Sequence, residues 1–161
     1  MREDGFTLLE VLTVMAIIGI LLGIATLQFN EMSKKAAIEG QVQTLHADLM
    51  AARLKALYGK RDRTVRIIGR QFSLYSSTVT SVIPEQQKTM TFPVFANTST
   101  DITFDSNGLT TNLLSLCIDP LNDLSKSNPA SVDSLVVSQA RINIGKRRAG
   151  GACGTATIDQ Q

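Results

Sequence analysis

A long uncharged apolar segment close to the N-terminus is the feature that most constrains what this chain can fold into. Residues 11–27 carry no charged side chain, and Glu10 is the single charge within residues 6–27. As a helix, residues 6–27 would be about 33 Å long, enough to cross the roughly 30 Å hydrocarbon core of a bilayer. A carboxylate in such a segment costs about 2.5 kcal/mol or more unless it has a partner. We therefore predict a membrane-spanning helix over residues 6–27 whose one acid has a function.

The residues before this segment indicate how Glu10 obtains its partner. Cleavage of the chain after Gly5 would create a new α-amino group on Phe6, four residues from the acid. Opposite charges attract strongly in a medium of low dielectric constant, whereas either charge without the other is penalised. Residues 1–5 are therefore interpreted as a leader that is removed by cleavage between Gly5 and Phe6.

The motif G-F-T-L-L-E, which ends at Glu10, and the apolar run after it resemble the class III signal of type IV prepilins and pseudopilins. The resemblance implies that a prepilin peptidase cuts between Gly5 and Phe6 and methylates the new N-terminus. It also implies that Glu10 neutralises the amine of a neighbouring pilin subunit as the helix moves from inner-membrane lipid into a fibre. An ordinary signal anchor with an acid near its end is the alternative.

A helical pattern continues beyond the membrane segment. Apolar residues recur every three or four positions on one face, which is typical of an amphipathic helix. They are Ile38, Val42, Leu45, Leu49, Ala52 and Ala56. We predict one helix over residues 6–58, stopped at Gly59, whose amphipathic half (residues 28–59) lies on a globular head. His46, the one histidine of the chain, lies beside the apolar stripe and is interpreted as structural.

Short strands and frequent turn residues fill the remaining residues 60–161. The predicted strands are residues 64–68, 71–76, 79–83, 88–92, 102–104, 113–118, 135–137 and 141–144. Gly69 lies between the first two and predicts a hairpin turn, and Pro93 predicts the end of the fourth. One long helix followed by many short strands predicts an α+β fold, with the helix packed on a small antiparallel β head.

Turn-forming and flexible segments separate these strands. Residues 105–108 give a strong turn signal, and the composition of residues 119–131 predicts a loop. Residues 145–151 are interpreted as a basic, flexible stretch after the last pair of strands. The last eight residues show no pattern that predicts a structure.

The order of motifs in the head is similar to that of FimT/GspH-like minor pilins. Phe104 and Gly108 match an F-x-x-x-G element, and Val137 and Ser138 begin a strand that leads into a basic glycine motif. The resemblance implies a structural subunit, a minor one, of a type IV pilus or a type II secretion pseudopilus. It also implies a single pass through the bacterial inner membrane, with the head in the periplasm before assembly.

Basic residues near the C-terminus raise a second functional hypothesis. Arg141, Lys146, Arg147 and Arg148 follow one another without an acid between them. Such side chains bind phosphates, and some FimT-like pilins are thought to capture DNA for transformation through a basic glycine motif. The alternative is that these charges keep the head soluble or pair with neighbouring subunits. A second basic group follows the helix and comprises Lys60, Arg61, Arg63, Arg66 and Arg70.

The two cysteines, Cys117 and Cys153, both fall in the part of the chain that would face the periplasm. An even number of cysteines in an oxidising compartment favours a disulfide, worth about 3–4 kcal/mol in the chain-entropy model. Two free thiols are the alternative. No further ligand lies close to them in the sequence, so we predict no metal site there.

No group of residues in the sequence predicts catalysis or a cofactor. Two pairs of acids, Asp101 with Asp105 and Asp119 with Asp123, lie in turn-like contexts where aspartate caps loops. They loosely resemble the calcium loops of some pseudopilins, although the ligand pattern is incomplete. We therefore predict a protein that assembles with other subunits and is not an enzyme.

Overall fold

The structure, a computed structural model, describes residues 7–161, except for the side chains of residues 25–27. Gly5 and Phe6, and with them the predicted cleavage site, lie outside the described residues. One long α-helix, α1 (Leu8–Gly59), begins after Thr7 and is capped by Lys60, which has a left-handed backbone and donates its N–H to the carbonyl of Ala56. These bounds lie close to those predicted from the apolar periodicity.

Seven strands of the described chain form one antiparallel sheet in the order β3-β1-β2-β4-β5-β6-β7. The strands are β1 Arg63–Tyr75, β2 Gln86–Ala96, β3 Asp101–Phe104, β4 Leu114–Ile118, β5 Ser134–Val137, β6 Ile142–Arg147 and β7 Ile158–Gln160. One face of the sheet packs against the second half of α1. The predicted α+β fold, a long N-terminal helix on an antiparallel β head, is therefore confirmed.

The main core lies between α1 and the sheet. All six residues of the predicted apolar stripe are buried in it, together with residues such as Phe72 on β1 and Leu116 on β4. His46 Nε2 lies 3.1 Å from the carbonyl oxygen of Ile142, which places the histidine at the contact between helix and sheet. Sequence periodicity was a sound guide here because burying a stripe of this kind is the main force that holds an amphipathic helix on its domain.

The hairpin predicted at Gly69 is wrong. β1 is continuous through this residue, which has a φ of +58°, and the pairing with β2 shifts register between Gly69 and Gln71. A glycine with positive φ allows a β-bulge as readily as a turn. The first half of the strand pairs with β3 and the second half with β2. The glycine thus bends one long strand and does not separate two.

The strand predicted at residues 79–83 is also wrong. Residues 76–85 form an irregular connection between β1 and β2. Val79, Val82 and Ile83 are exposed on it, and no neighbouring strand pairs with them in the described structure. The β-branched residues gave a strand signal, but strand propensity measures packing on a neighbour more than a backbone preference.

β2 continues through Pro93, where the sequence predicted an end. The side chain of Gln41 on α1 accepts a hydrogen bond from the N–H of Phe92 and donates one to its carbonyl, both at 2.8 Å. The carbonyl of Pro93 accepts from the N–H of Asp119 at 3.0 Å. The proline is tolerated because the pairing of β2 with β1 is irregular at this point, and the Gln41 amide satisfies the backbone groups of the neighbouring Phe92.

The C-terminal residues are ordered more extensively than the sequence indicated. β6 extends to Arg147, into the stretch predicted to be flexible, and β7 pairs with it. Gly145 is required at this pairing, because a Cβ there would lie 2.5 Å from Cγ2 of Ile158 and 2.7 Å from the carbonyl oxygen of Asp159. The chain then lies over the outer face of the sheet, where Val136 and Ile158 help to form a second small core.

Candidate functional site

The N-terminal end of α1 is capped by residues of the predicted processing motif. Thr7 Oγ1 accepts a hydrogen bond from the N–H of Glu10 at 3.3 Å, and the Thr7 carbonyl accepts from Glu10 and Val11 at 3.1 and 3.3 Å. Thr7 and Glu10 have the spacing of a capping box, a sequence signal from which this cap could have been predicted. The cap holds the acid in the first helical turn, where the helix dipole favours negative charge.

The carboxylate of Glu10 is exposed and available to a partner from outside the described chain. Within residues 7–161, no cation lies within 4 Å of it. Its backbone carbonyl accepts a hydrogen bond from Thr13 Oγ1 at 2.9 Å. The described fold therefore leaves the acid without an internal ion pair.

The apolar half of α1 is not covered by the head. The helix is long and apolar enough to cross a membrane, and none of its most apolar window is buried within the protein. Large exposed side chains include Leu8, Leu12, Met15, Ile20 and Leu22. Such a surface is stable only in lipid or against other apolar helices, because exposure to water costs about 25 cal/mol per Å².

Arg147, one of the predicted DNA-binding residues, is only 3% exposed. Its guanidinium group donates to the backbone carbonyls of Leu124, Lys126 and Gly151, the last two at 3.0 and 2.8 Å. Arginine suits this position because its planar fork can bind several carbonyls at once. The side chain joins the loop at residues 119–131 to the C-terminal segment and is not displayed to a ligand.

Lys146 is also engaged inside the head. Its ammonium group lies 2.8 Å from Oδ2 of Asp133, whose side chain is 1% exposed. The same carboxylate accepts from Asn128 Nδ2 at 2.9 Å, from the N–H of Arg147 at 2.8 Å and from Ser134 Oγ at 2.7 Å. Asp133 was not predicted from the sequence, because its partners become apparent only when β5 and β6 are paired.

The surroundings of Asp133 shift its pKa. Burial opposes the ionised form, but the hydrogen bonds from Lys146 and from the backbone of Arg147 outweigh that cost and hold the pKa of this carboxyl below its usual value. The carboxylate is therefore the form that the fold stabilises.

We expect the head to lose stability in acid because of this group. A carboxyl with a lowered pKa adds stability that is complete above the unfolded-state pKa of about 3.9 and is lost as the pH falls through the folded-state pKa. The free energy of unfolding of the detergent-solubilised chain should change little between about pH 7 and pH 5 and then fall steeply below about pH 4. The Asp133→Asn variant should lose less unfolding free energy in acid than the parent chain. An equal dependence of the unfolding free energy on pH in both would contradict this role of Asp133.

The other two C-terminal cations lie at the surface. Arg148 pairs with Asp159 at 2.6 Å, and this contact raises the pKa of the guanidinium group while lowering that of the carboxyl. Arg141 is exposed, and within the described residues no acid lies within 4 Å of it. The four predicted residues therefore do not form one shared basic surface. Lys146 and Arg147 hold the fold together, Arg148 is paired with Asp159, and Arg141 is open to solvent.

Two of the five residues of the second basic group are paired as well. Arg63 contacts Glu85, and Arg66 forms two hydrogen bonds of 2.7 Å with the carboxylate of Asp101. The Arg66 contact joins β1 to β3, and its bidentate geometry is the strong form of such a pair. These arginines act mainly between neighbouring strands and loops of the head.

The structure contains the predicted disulfide between Cys117 and Cys153, which are 36 residues apart in the sequence. It attaches the C-terminal segment to β4 at the centre of the sheet. The bond and the guanidinium of Arg147 thus hold the same segment at two points. Loop closure of this length is worth about 3–4 kcal/mol in the chain-entropy model.

The predicted acid pairs are mostly turn caps. Asp105, Asp119 and Asp123 each accept a hydrogen bond from a backbone N–H two residues further on, at 2.8, 3.3 and 3.1 Å. Asp101 is instead bound by Arg66. Within residues 7–161, no group of three or more His, Cys, Asp or Glu side chains is placed to hold a metal ion.

Comparisons with known proteins agree with this architecture. Residues 1–26 match the family model described as the prokaryotic N-terminal methylation motif. The structure is similar to that of the type IV minor pilin FimU of Pseudomonas aeruginosa, with a TM-score of 0.57 and 18% sequence identity over 70% of this chain and 91% of that chain. A second crystal form of FimU gives a TM-score of 0.52 and 19% identity, covering 66% of this chain and 90% of that one.

A secretion protein shares the fold as well. The minor pseudopilin EpsH from the Type 2 Secretion System of Vibrio cholerae matches with a TM-score of 0.50 and 12% identity, covering 67% of this chain and 95% of that chain. No curated protein sequence matches the chain significantly. The chain thus combines the N-terminal methylation motif with a type IV pilin-like fold. In its fold it resembles a type IV minor pilin and a minor pseudopilin.

Proposed function

We propose that this chain is a structural subunit, a minor one, of a type IV pilus or of a type II secretion pseudopilus. The observation that carries the proposal is the uncovered apolar half of α1, which continues without a break into the folded head. This half begins at a capped acid that has no ion pair within residues 7–161. A helix of this kind needs lipid before assembly and other helices afterwards. The head moves with the apolar half of α1, because the second half of the same helix is packed into the head.

The proposed mechanism begins in the inner membrane. A prepilin peptidase cuts between Gly5 and Phe6 and methylates the new N-terminus, and the head lies in the periplasm. The amine on Phe6 of one subunit pairs with Glu10 of a neighbour, which removes two uncompensated charges from an apolar environment. Because lipid and a helical bundle are both apolar, the helix can change surroundings at little cost once that charge pair has formed.

The two kinds of structural neighbour support both forms of the proposal. One is a type IV minor pilin and the other is a minor pseudopilin of a secretion system, and their similarity to this chain differs little. The proposal uses a cleaved leader, Glu10 and an apolar helix. These features would serve a subunit of a pilus or of a pseudopilus equally. The two assemblies are distinguished by the cell fraction in which the assembled subunit is found.

Fractionation of cells that carry an epitope-tagged chain tests the proposal. We expect the chain, without residues 1–5, to appear in sheared surface fibres if it is a pilus subunit, or to co-purify with secretion-system pseudopilins if it is a pseudopilin. A host without the prepilin peptidase should retain the chain in the membrane at its full length. A chain that stays in the membrane of both hosts, with no pilin partners, would contradict the proposal.

DNA capture is the alternative function, but only two of the four predicted basic residues are exposed and able to contact DNA. Arg141 and Arg148 are exposed, whereas Lys146 and Arg147 are engaged within the head. If DNA binds here, Arg141→Ala combined with Arg148→Ala should weaken it and reduce its salt dependence by about one unit of slope for each phosphate that is no longer bound. Equal binding by the parent and the double variant would place any DNA contact elsewhere.

A further inference from the structure

The loop at residues 119–131 lies beside the part of α1 that follows the apolar segment. A cavity of about 290 Å³ between the two is lined by residues that include Lys34 and Ile38 of the helix and Leu121 and Pro129 of the loop. This face of the head points along the helix toward its N-terminal half. We call residues 28–39 of α1 together with the loop at residues 119–131 the basal face.

The position of the basal face relative to a bilayer follows from the helix. A charged Glu10 is best placed at the inner boundary of the bilayer, which shifts the stretch in the hydrocarbon core from the predicted residues 6–27 to residues 11–30. Residues 11–30 are uncharged, and Glu31 is the first charge after them. As a helix this stretch is about 30 Å long, which matches a hydrocarbon core, and the headgroup layer adds about 5–8 Å on each side. Lys34 lies about 5 Å beyond Glu31 along the helix axis. Leu121, which lines the same cavity as Lys34, is therefore at the level of the headgroups.

Large apolar side chains are exposed at this level. Phe29 is 72% exposed, Met32 is 71% exposed and Leu121 is 58% exposed. Met32 and Pro129 line one groove, and Leu121 and Pro129 line the neighbouring cavity, so exposed apolar side chains extend from the helix onto the head. An apolar surface placed at the boundary of headgroups and acyl chains gains free energy by entering it.

The loop that carries Leu121 is held in place from several sides. The N–H of Asp119 donates to Pro93 at 3.0 Å, and the N–H of Ser131 donates to Glu39 Oε1 on α1 at 2.7 Å. Between these points, Lys146 donates to the carbonyl of Asn128 at 3.1 Å, in addition to the contacts of Arg147 with the same loop. The exposed leucine is thus presented by a fixed scaffold.

Charge on the basal face argues against an electrostatic contact. At its surface, three lysines, Lys34, Lys35 and Lys126, are balanced by three acids, and two of the lysines are within 4 Å of one of these acids. The acids are Glu31, Glu39 and Asp123. The further acid of the loop, Asp119, is buried. A surface with no net charge gains little from anionic lipids, so apolar contact is the force that remains.

We propose, on the membrane orientation that belongs to the proposed function, that the basal face rests on the outer surface of the phospholipid bilayer before assembly. Leu121 and Met32 enter the boundary between headgroups and acyl chains. The basic segment near the C-terminus serves this contact indirectly, because Lys146 and Arg147 hold the loop that makes it. Leaving the membrane then exposes this apolar face, which becomes available to a neighbouring subunit.

Tryptophan quenching in vesicles tests this contact, because the chain contains no tryptophan. The full chain would be reconstituted in phosphatidylcholine vesicles with brominated acyl chains, as three single variants. Leu121→Trp probes the basal face and Ile18→Trp probes the membrane segment. Ile83→Trp is the matched control, because Ile83 is 92% exposed and its loop is joined to Lys55 through Glu85, about 30 Å further along the helix than Lys34.

We expect Leu121→Trp and Ile18→Trp to lose fluorescence in brominated vesicles and Ile83→Trp to keep it. If Leu121→Trp is quenched no more than Ile83→Trp while Ile18→Trp is quenched, the helix is inserted but the basal face stands away from lipid, and the inference is overturned. If Ile18→Trp is not quenched either, the membrane segment of the proposed function fails as well. Quenching of Leu121→Trp that requires phosphatidylglycerol and disappears at high salt would overturn the apolar contact.

Discussion

Glu10→Ala is expected to remove the chain from fibres while leaving it inserted in the membrane. The carboxylate lies in the first turn of α1, its backbone is bound by Thr7, and within residues 7–161 no cation is paired with it. In the proposed fibre, its loss leaves the amine of a neighbouring subunit unpaired in apolar surroundings. An uncompensated charge there costs about 2.5–3.5 kcal/mol, which corresponds to a roughly 100-fold fall in incorporation.

The measurement is the ratio of the chain in sheared fibres, or in purified pseudopili, to the chain in the membrane. Glu31→Ala is a matched control, because it removes an exposed acid from the same helix beyond the apolar stretch. Thr7→Ala separates the cap from the charge, since loss of an N-cap costs only about 1 kcal/mol. Incorporation of Glu10→Ala at the level of Glu31→Ala would contradict the role of Glu10 in registering neighbouring subunits.

Asp133→Ala is expected to destabilise the head by about 3–5 kcal/mol, because it leaves Lys146 without its carboxylate in a partly buried site. The same change removes acceptors from the backbone of Arg147 and from Asn128, so the loop at residues 119–131 loosens as well. Urea unfolding of the detergent-solubilised chain measures the loss. Fibre assembly should fall with it, because the head becomes prone to proteolysis.

Two variants separate this network from a general effect of removing a charge. Asp159→Ala removes an exposed acid that pairs with Arg148, and we expect little change in stability, because surface ion pairs contribute little. Asp133→Asn combined with Lys146→Met should be more stable than Asp133→Ala, because it leaves no buried charge without a partner. If Asp133→Ala is as mild as Asp159→Ala, the network does not hold the loop.

The parts of the fold that follow from local periodicity could be predicted from the sequence. The helix and its buried stripe from Ile38 to Ala56 needed only the spacing of apolar residues, and the long apolar half of the helix was evident from its composition. The conformation of the chain at Gly69 could not be predicted from periodicity. A glycine between two β-rich runs fits a turn or a bulge equally well, and the choice depends on which strands pair with β1.

The roles of the basic residues depended on tertiary structure. Lys146 and Arg147 have no acid beside them in the sequence, and their partners are Asp133 and the backbone carbonyls of a loop about twenty residues earlier. A basic residue with no acid near it in the sequence gives no sign of an ion pair. Its burial and its partners depend on the tertiary structure. The short strand β7 was missed for a related reason, because its three residues acquire a strand conformation by pairing with β6.

The central claim is that the chain is trimmed to expose an amine at Phe6 that Glu10 of another copy can neutralise. Mass spectrometry of the N-terminal peptide of the protein isolated from its own host tests it most directly. We predict a peptide that begins at Phe6 and carries a methyl group on its α-nitrogen. A peptide that still begins at Met1 and continues through Gly5, in protein taken from assembled fibres, would contradict it.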